Sequence, residues 1–477
     1  MRLILPDILL LILGVVLMVL DLVLHTTHRR RSTVVFHVAW IGLIAVLAAT
    51  FLLPQNLPAM VGDIYRVDGF GIWMRRLFTS STLFALVLAR PYFTTGANAQ
   101  GPMTHASEFY YILIFCTLGM FVVVSACDLM TMFIGLELAT VPLYILAGFN
   151  KRDPVSAEAG VKYIMTGSMS TAFMLFGLSY LYGITGSIRL DAIAAFATAN
   201  PDHVFLWLSI LFLLGGIGFK LAMVPFHMWA PDVYAGSPAP AVAFLSVNSK
   251  ATAVAFLVIM FYGPLAVFHD RMTETFLVLS GVTMVVGNLG AMRQTQIRRF
   301  IAYSSIAQAG YILMAFVGNE GMARTAVVYY LFIYAAANYA FFYIVASVGE
   351  KRGETISSLR GLSKDSPALA AMLAVSMFSL AGIPPAAGFI GKFMIFAAAA
   401  ETGHYVFIVF AALNSTISLY YYLLIIREAY IVKPESDEQR APLNLQLTQR
   451  IALLILTAAT ILLGLIPSIS TQIQNMP

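Results

Sequence analysis

Long apolar runs, separated only by short polar breaks, make up most of this chain. One helix of about 20 apolar residues spans the hydrocarbon core of a bilayer. The runs are continuous rather than alternating, which is typical of helices and not of a membrane β-barrel. Charged residues make up 11% of the 477 residues, against about 25% in soluble proteins. We therefore predict an all-α polytopic membrane protein with about 14 transmembrane helices.

The remaining composition excludes several classes of protein. The net charge of +5 is not organised into a basic stripe with exposed aromatics, so no nucleic-acid partner is expected. Cys116 and Cys127 lie in one apolar stretch, without a CxxC pair. The chain also has no credible haem, metal or dinucleotide motif, so any electron transfer is expected in a partner. We interpret the segment Leu3 to Leu24 as a retained first span rather than a signal peptide.

The basic residues predict the orientation of the chain. Most lysines and arginines, such as Arg29 to Arg31 and Arg298, fall in loops after odd-numbered spans. Fewer, among them Arg75 and Arg189, fall on the opposite side. Because cytoplasmic loops carry an excess of lysine and arginine, both termini are expected outside the cytoplasm.

Two predicted spans, 204–234 and 368–400, are too long for one straight crossing. At 1.5 Å per residue the first would be about 46 Å long, more than the hydrocarbon thickness. Both contain residues that interrupt helices, and we expect both spans to be broken within the membrane. These residues are Gly215, Gly216, Gly218 and Pro225 in the first span, and Gly382, Pro384, Pro385, Gly388 and Gly391 in the second.

The broken spans also predict an internal repeat. The chain divides into an N-terminal three-helix segment (1–108), two five-helix blocks (109–262 and 276–432), and a C-terminal helix and tail (433–477). The broken helix is the fourth in each block, and the segment around Glu137 recurs at an offset of 167 to 171. Since five crossings is an odd number, the two blocks should have opposite membrane orientations, as in transporters with inverted repeats.

Four ionisable residues, Glu137, Lys220, Lys250 and Lys392, fall inside predicted spans. A charge at a helix centre costs roughly 2.5 to 3.5 kcal/mol, so such residues persist when they are paired, hydrated or needed. Snorkelling to the interface is the alternative for each one alone. Burial favours a neutral amine and a nearby carboxylate favours the ammonium, so a buried lysine that gains and loses Glu137 as its partner can bind and release a proton. A sodium site would need several carboxylates and carbonyls, and only one of the four residues is a carboxylate. These residues therefore predict a proton relay rather than a sodium site. For Lys162, at the start of the sixth span, snorkelling and proton uptake both remain open.

Five motifs carry a resemblance to a known family. GFKLAMVPFHMWAPDVYAGSPAP (218–240) and GLELATVPLYIL (135–146) come from the first block, as does EAGVKYIMTGSMSTAFMLFGLSYLYG (158–183). RRFIAYSSIAQAGY (298–311) and SLAGIPPAAGFIGKF (379–393) come from the second. The chain resembles the antiporter-like subunit N family of bacterial NADH:quinone oxidoreductase (respiratory complex I), which is related to subunit 2 of chloroplasts and mitochondria.

The resemblance implies roles for the buried residues. Glu137 and Lys220 would form the ion pair of a first half-channel, Lys250 would be a connecting lysine, and Lys392 would end the second half-channel. Lys162 matches a sixth-span lysine of subunit N. Relatives often have histidine where this chain has Gln308, and glutamine cannot titrate.

The function implied is proton transfer from cytoplasm to periplasm, coupled to quinone reduction elsewhere in a complex of the bacterial inner membrane. The expected partners are the antiporter-like subunits M and L, small subunits such as K, J, A and H, and the lipid bilayer. FMN, iron–sulfur clusters and quinone are expected in partner subunits, and no cofactor in this chain. The alternatives are a subunit of a cation/proton antiporter or membrane-bound hydrogenase, a structural subunit that moves no protons, and a solute permease.

Overall fold

A computed structural model describes residues 2–24, 27–53, 57–94, 105–433, 443, 445–466 and 473. Nearly all of them are helical, and a two-stranded antiparallel hairpin, β1 (Ala59–Val61) and β2 (Tyr65–Val67), lies between the second and third helices. The helices are α1 (Leu5–Val23), α2 (His28–Phe51), α3 (Gly69–Thr94), α4 (Ala106–Val123), α5 (Leu129–Ala147), α6 (Pro154–Thr185), α7 (Leu190–Ala199), α8 (Val204–Leu221), α9 (Trp229–Gly236), α10 (Ala239–Phe244), α11 (Lys250–Phe261), α12 (His269–Met292), α13 (Ile297–Met314), α14 (Glu320–Arg352), α15 (Leu362–Asp365), α16 (Pro367–Ala381), α17 (Ala387–Glu401), α18 (Tyr405–Tyr430) and α19 (Leu447–Leu465).

The helices confirm the prediction of an all-α polytopic membrane protein. Within the described ranges, 13 helical segments are long and apolar enough to cross a membrane. Helices α16 and α17, with 15 residues each, together form a further crossing around a break. The number of crossings therefore agrees with the prediction of about 14. Of the predicted C-terminal segment 433–477, α19 is described, and most of the rest lies outside the described residues.

Both long spans are interrupted, as predicted. Helix α8 ends at Leu221 and α9 begins at Trp229, while α16 ends at Ala381 and α17 begins at Ala387. The residue after the first half is left-handed in both cases, with φ of 56° at Ala222 and 85° at Gly382. Each donates its backbone N–H to the carbonyls three and four residues earlier, which closes the helix end.

The two breaks differ in where they place their lysine. The left-handed residues Ala222 and Gly382 are 160 positions apart, whereas Lys220 and Lys392 are 172 apart. Lys220 therefore lies in the last turn before its break, and Lys392 lies in the second turn after its break. The two lysines are thus not equivalent positions of the broken helices.

Helix pairs of the two blocks pack in the same way. A Cβ added to Gly119 of α4 would lie 2.4 Å from the backbone N of Ala139 in α5. A Cβ added to Gly287 of α12 would lie at the same distance from the backbone N of Ala307 in α13. Only glycine allows these helix backbones to approach so closely. Both pairs are offset by 168 positions, within the range predicted for the repeat.

The connecting segments are grouped by their order in the chain. The hairpin residue Tyr65 bridges to Ala126, and Asp128 bridges to Arg189, so loops after even-numbered spans meet. Gln296 bridges to Thr355, so loops after odd-numbered spans also meet. This grouping is what an alternating up-and-down path requires. Which face is cytoplasmic remains a prediction from the basic residues.

Helices α10, α11, α13 and α14 form the core. The most apolar stretches of Ala239–Phe261 and Ile297–Val317 are each 94% buried, against 28% for those of α1 and α19. A π-helical turn, Leu245–Ser249, joins α10 to α11 and comes directly before Lys250. Single-turn π segments inside α-helices are frequent at functional sites.

Three features differ from the sequence expectations. The hairpin and the amphipathic surface helix α7 (Leu190–Ala199) were not predicted, since both fall in segments assigned to loops. Arg75 was counted among the basic residues outside the membrane, on the side opposite to the loops after odd-numbered spans, but it is fully buried in α3. Its guanidinium lies 3.4 Å from a carboxylate oxygen of Asp7, which accounts for burial of a charge so near a helix start.

Candidate functional site

The four predicted intramembrane charges are positioned by four different helices. Glu137 is in α5, Lys220 in α8, Lys250 begins α11, and Lys392 is in α17. The three lysines are 4%, 2% and 4% exposed, respectively. A snorkelling lysine keeps its ammonium in contact with water, so burial of all three argues against that alternative.

Glu137 and Lys220 lie next to each other between α5 and α8. Lys220 Nζ is 3.6 Å from Glu137 Oε1 and donates a hydrogen bond of 3.1 Å to Thr140 Oγ1. Glu137 Oε1 also accepts a 3.0 Å hydrogen bond from Thr171. The Thr140 hydroxyl donates to the carbonyl of Leu136, so its lone pair faces the lysine. Lys220 lies in the last turn of α8, where a positive charge interacts favourably with the helix dipole.

Lys250 is buried at the start of α11, one of the core helices. Its Nζ donates to the backbone carbonyl of Ser305 in α13. Among the described residues it forms no ion pair. In the π-helical turn before Lys250, Ser246 Oγ accepts a 2.8 Å hydrogen bond from Asn338 Nδ2 of α14. Asn248 points elsewhere, with its Nδ2 3.4 Å from the carbonyl of Phe78 in α3.

Lys392 is held by the second break. Its Nζ donates hydrogen bonds of 3.0 Å to the carbonyl of Ala381 and 2.9 Å to Ser415 Oγ, and lies 4.5 Å from the ring centre of Tyr311. Ala381 is the last residue of α16, where the carbonyls have no partner within the helix. A Cβ on Gly382 would lie 2.9 Å from Lys392 Cδ. Glycine at this position therefore permits both the left-handed φ and the approach of the lysine.

Serine and tyrosine hydroxyls pair at the segment of α13 whose Ser305 carbonyl accepts from Lys250. Ser305 Oγ is hydrogen-bonded to Tyr334 OH at 2.8 Å, and Ser304 Oγ to Tyr422 OH at 2.6 Å. The serines belong to α13, whereas the tyrosines come from α14 and α18. Neighbouring serines of α13 are thus hydrogen-bonded to tyrosines from two different helices.

Gln308, one turn further along α13, connects these hydroxyls to the second break. Its Nε2 donates to the carbonyl of Leu380 and to Tyr422 OH, each at 3.0 Å. Its Oε1 accepts a hydrogen bond from Tyr330 OH. Leu380 immediately precedes Ala381, whose carbonyl accepts from Lys392.

Lys162 is not brought together with the buried residues. Its side chain is 46% exposed and forms ion pairs of 2.8 Å with Glu158 and 2.9 Å with Asp232. Asp232 of α9 also pairs with Arg299 of α13 at 2.9 Å. Lys162 therefore belongs to a surface ion-pair cluster, and a role in proton uptake stays a prediction.

The same loop face contains a polar cavity of about 520 Å³ between α9 and the start of α13. Arg298 lies in its wall and donates to the carbonyls of Ala235 and Ser237 and to the carboxylate of Glu354. Asn150 and Asp153 also line the cavity. The cavity opens to the face where the loops after odd-numbered spans meet. Within the described part of the chain, no group of three or more histidine, cysteine or acidic side chains could hold a metal ion.

Several partners in the site were not identified from the sequence. Thr140 is three residues after Glu137 and so on the same helix face, a spacing that could have identified it. Thr171, Ser415 and the tyrosines reach the site from distant helices, and their contacts have no local signal in the sequence.

Comparison with protein families gives a match over most of the chain. The family described as NADH:quinone oxidoreductase/Mrp antiporter, TM, matches residues 126–418. Subunit N of NADH-quinone oxidoreductase from Moorella thermoacetica is 38% identical over 459 residues, which is 96% of this chain and 94% of that protein.

Solved structures give the same result for the fold. A chain of respiratory complex I from Thermus thermophilus, determined with bound aureothin, superposes with a TM-score of 0.80 at 32% identity, covering 97% of both chains. A chain of the Mrp complex from Dietzia sp. has a TM-score of 0.85 at 21% identity, covering 98% of this chain and 96% of that chain. At that level of identity the second likeness concerns the fold alone.

Proposed function

Because the chain belongs to the family of NADH:quinone oxidoreductase and Mrp antiporter transmembrane subunits, we propose that it moves protons across the membrane as subunit N of an NADH:quinone oxidoreductase. The near-full-length relatives bear that subunit name. The observation that carries the proposal is a series of three buried lysines, the first paired with Glu137 at 3.6 Å. Ionisable residues inside the membrane are costly, and they are expected in proton paths.

The proposed relay begins at the Glu137–Lys220 pair. A carboxylate beside a buried ammonium stabilises its charge, so movement of Glu137 away from Lys220 would favour release of the lysine proton. The proton would pass to Lys250 and then to Lys392, which would release it to the periplasm. Lys250 forms no ion pair within the described residues, so its charge depends on the carbonyl and hydroxyl groups around it.

The exposure of Glu137 supports a neighbouring protein subunit on this face. Its side chain is 22% exposed, and the same face of α5 exposes Ile134, Val141 and Ile145 by 56%, 45% and 53%. An ionised carboxylate facing lipid at this depth would be costly. We propose that another membrane-arm subunit covers Glu137. Subunits M and L and the smaller K, J, A and H are the candidates, while FMN, iron–sulfur clusters and quinone belong to partners.

We also infer that 109–262 and 276–432 are inverted repeats, within an inner-membrane subunit whose termini are periplasmic. The common offset of 168 at Gly119 and Gly287 supports the repeat, as do the left-handed residues at both breaks. The offset of the breaks is 160, so the second block is shorter than the first between these points.

Proton pumping by a Lys220→Ala variant of the complex tests the relay. Alanine removes the amine that pairs with Glu137, so the protons moved per NADH oxidised should fall while the complex still assembles and reduces quinone. The measurement compares NADH oxidation with acidification of inverted membrane vesicles. Lys364→Ala, at an exposed residue of α15, is the matched control and should behave as wild type.

Three results would contradict the proposal. Pumping by Lys220→Ala at the wild-type ratio would remove Lys220 from the path. A purified complex that lacks NADH oxidation and exchanges sodium for protons would instead support the antiporter alternative. If neutralising Glu137 and all three lysines together left pumping unchanged, the chain would be a structural subunit.

A further inference from the structure

Gln308 is the polar residue through which the surroundings of Lys250 and Lys392 are connected. It is 1% exposed and lies one turn after Ser305, whose carbonyl accepts from Lys250. Its amide also contacts Leu380, the neighbour of the residue whose carbonyl accepts from Lys392. A single side chain thus links α13 to the end of α16.

The surroundings of Gln308 permit only one orientation of its amide. A backbone carbonyl accepts hydrogen bonds and never donates, so the NH₂ group must face Leu380 O, 3.0 Å away. The amide oxygen then faces Tyr330 OH, which must donate to it. Tyr422 OH, 3.0 Å from the NH₂ group, accepts from it, and its own hydrogen can then be donated to Ser304 Oγ, 2.6 Å away, in a pair where either hydroxyl could be the donor.

We propose that Gln308 is a positioning residue for proton transfer between Lys250 and Lys392, an inference that rests on the proposed function. Its amide takes up no proton. It directs the hydrogen of Tyr422 OH away from the amide, toward Ser304, and ties this hydroxyl to the second break. The hydrogen of Tyr330 OH points at the amide oxygen, so Tyr330 fixes the amide and passes no proton itself. Protons pass from the Lys250 ammonium to the neutral amine of Lys392 by way of hydroxyl groups, and Gln308 gains and loses none.

A directed hydroxyl chain explains why a group that does not titrate suits this position. A hydroxyl that passes a proton takes one on one side and gives one from the other, which reverses its direction. The next proton can follow only after the hydroxyl has turned back. The fixed NH₂ group of Gln308 favours one direction for the Tyr422 hydroxyl and so restores it after each transfer.

A Gln308→Met variant of the whole complex in membrane vesicles is the first test. Methionine keeps the volume and removes both ends of the amide. The loss of a buried hydrogen-bonding partner should slow the transfer step on the order of tenfold, which is measured as the initial rate of acidification at equal NADH oxidation. Gln449→Met is the control, since Gln449 is 5% exposed and bonds the first turn of α19. It should pump as wild type.

The pH profile of a Gln308→Glu variant separates positioning from simple packing. A glutamic acid donates to Leu380 O only in its protonated form, so the pumping defect should become smaller as the pH is lowered. The groups that face this position are Tyr330 of α14, Tyr422 of α18 and, beyond Ala381, Lys392 of α17. Wild type and Gln449→Met provide the baseline profile. A role in packing alone would give a defect that does not change with pH.

The outcomes distinguish this inference from the proposed function. If Lys250→Met and Lys392→Met lower pumping but Gln308→Met does not, Gln308 has no positioning role while the relay stands. If the lysine variants also pump normally, the proposed function itself is wrong. Should Gln308→Met fail to assemble, the Gln308→Glu profile decides, since a flat profile overturns the inference and recovery at low pH supports it.

Discussion

At the scale of single residues, the site depends on contacts that only one side chain permits. Gly382 is the clearest example, because a left-handed φ of 85° and the approach of Lys392 coincide there. At the first break the left-handed position is occupied by Ala222, with φ of 56°. Alanine is tolerated at the first break because Lys220 precedes it in the helix and does not fold back against it.

A Gly382→Ala variant should therefore lower proton pumping. The new methyl group would displace the Lys392 side chain from the carbonyl of Ala381, in addition to a backbone cost of about 1 kcal/mol. Gly403→Ala is the matched control, because Gly403 also has a positive φ, 83°, with nothing within 4 Å of its added Cβ. It should lose stability without losing pumping. Equal pumping by both variants would mean that the position of Lys392 does not matter.

Single residues also show what the sequence could and could not predict. The four intramembrane charges were identified because an ionisable residue inside an apolar run is conspicuous. Their partners Thr171 and Ser415 were not, because each is one of many hydroxyl residues and is brought in by packing between distant helices. The burial of Arg75 was missed for the same reason, since Asp7 is 68 positions away.

At the scale of elements, four segments meet around Arg75 at one end of the molecule. Its guanidinium, in α3, contacts Asp7 of α1 at 3.4 Å, Tyr65 OH of β2 at 3.1 Å and Ser125 Oγ, after α4, at 2.5 Å. Tyr65 OH donates in turn to Asp7. Burial, together with Asp7, raises the pKa of Tyr65 to about 12, although Arg75 opposes the shift. The stability that the neutral hydroxyl contributes is therefore fully present below about pH 10, and is lost as the pH rises through about 12.

An Asp7→Asn variant should detach α1 from this cluster. It leaves the fully buried guanidinium without its carboxylate, which we expect to cost about 3 to 5 kcal/mol. The measurement is the temperature at which the purified complex loses this subunit. Asp191→Asn, at the exposed Arg189–Asp191 pair, should remain near wild type. Similar temperatures for both variants would show that the Arg75 cluster does not hold α1.

Elements differ in how far the sequence predicts them. The helix breaks were predicted because glycine and proline act locally on the helix backbone. The hairpin and α7 were not, because a short strand or a ten-residue surface helix has no run of apolar residues to mark it. No characteristic amino-acid composition marks the π-helical turn before Lys250, so it can be recognised only from the backbone structure.

At the scale of the whole molecule, the loops form two faces whose membership agrees with the alternating path predicted from the sequence. The face that contains Arg298, Arg299 and the polar cavity is expected to be cytoplasmic, because basic residues are concentrated in its loops. The hairpin face, with α7, is then periplasmic. This assignment also determines the direction in which the proposed relay runs.

Labelling of single cysteines tests this orientation. In a background with Cys127→Ser, which leaves only the buried Cys116, Met60→Cys places a thiol on the half-exposed hairpin. A membrane-impermeant maleimide should label it from outside in intact spheroplasts. Lys364→Cys, in α15, should be labelled only after the membrane is opened. The reverse pattern would place the termini in the cytoplasm.

The attachment of Lys392 to the end of α16 has a consequence for coupling. The carbonyl of Ala381, the last residue of α16, lies directly before the left-handed Gly382 and binds the ammonium, so the proton on Lys392 and the shape of the break are thermodynamically linked. A change in the geometry of the break must therefore change the affinity of Lys392 for its proton. By reciprocity, protonation of Lys392 must favour one geometry of the break by the same factor. The proton then acts as a ligand of the broken helix.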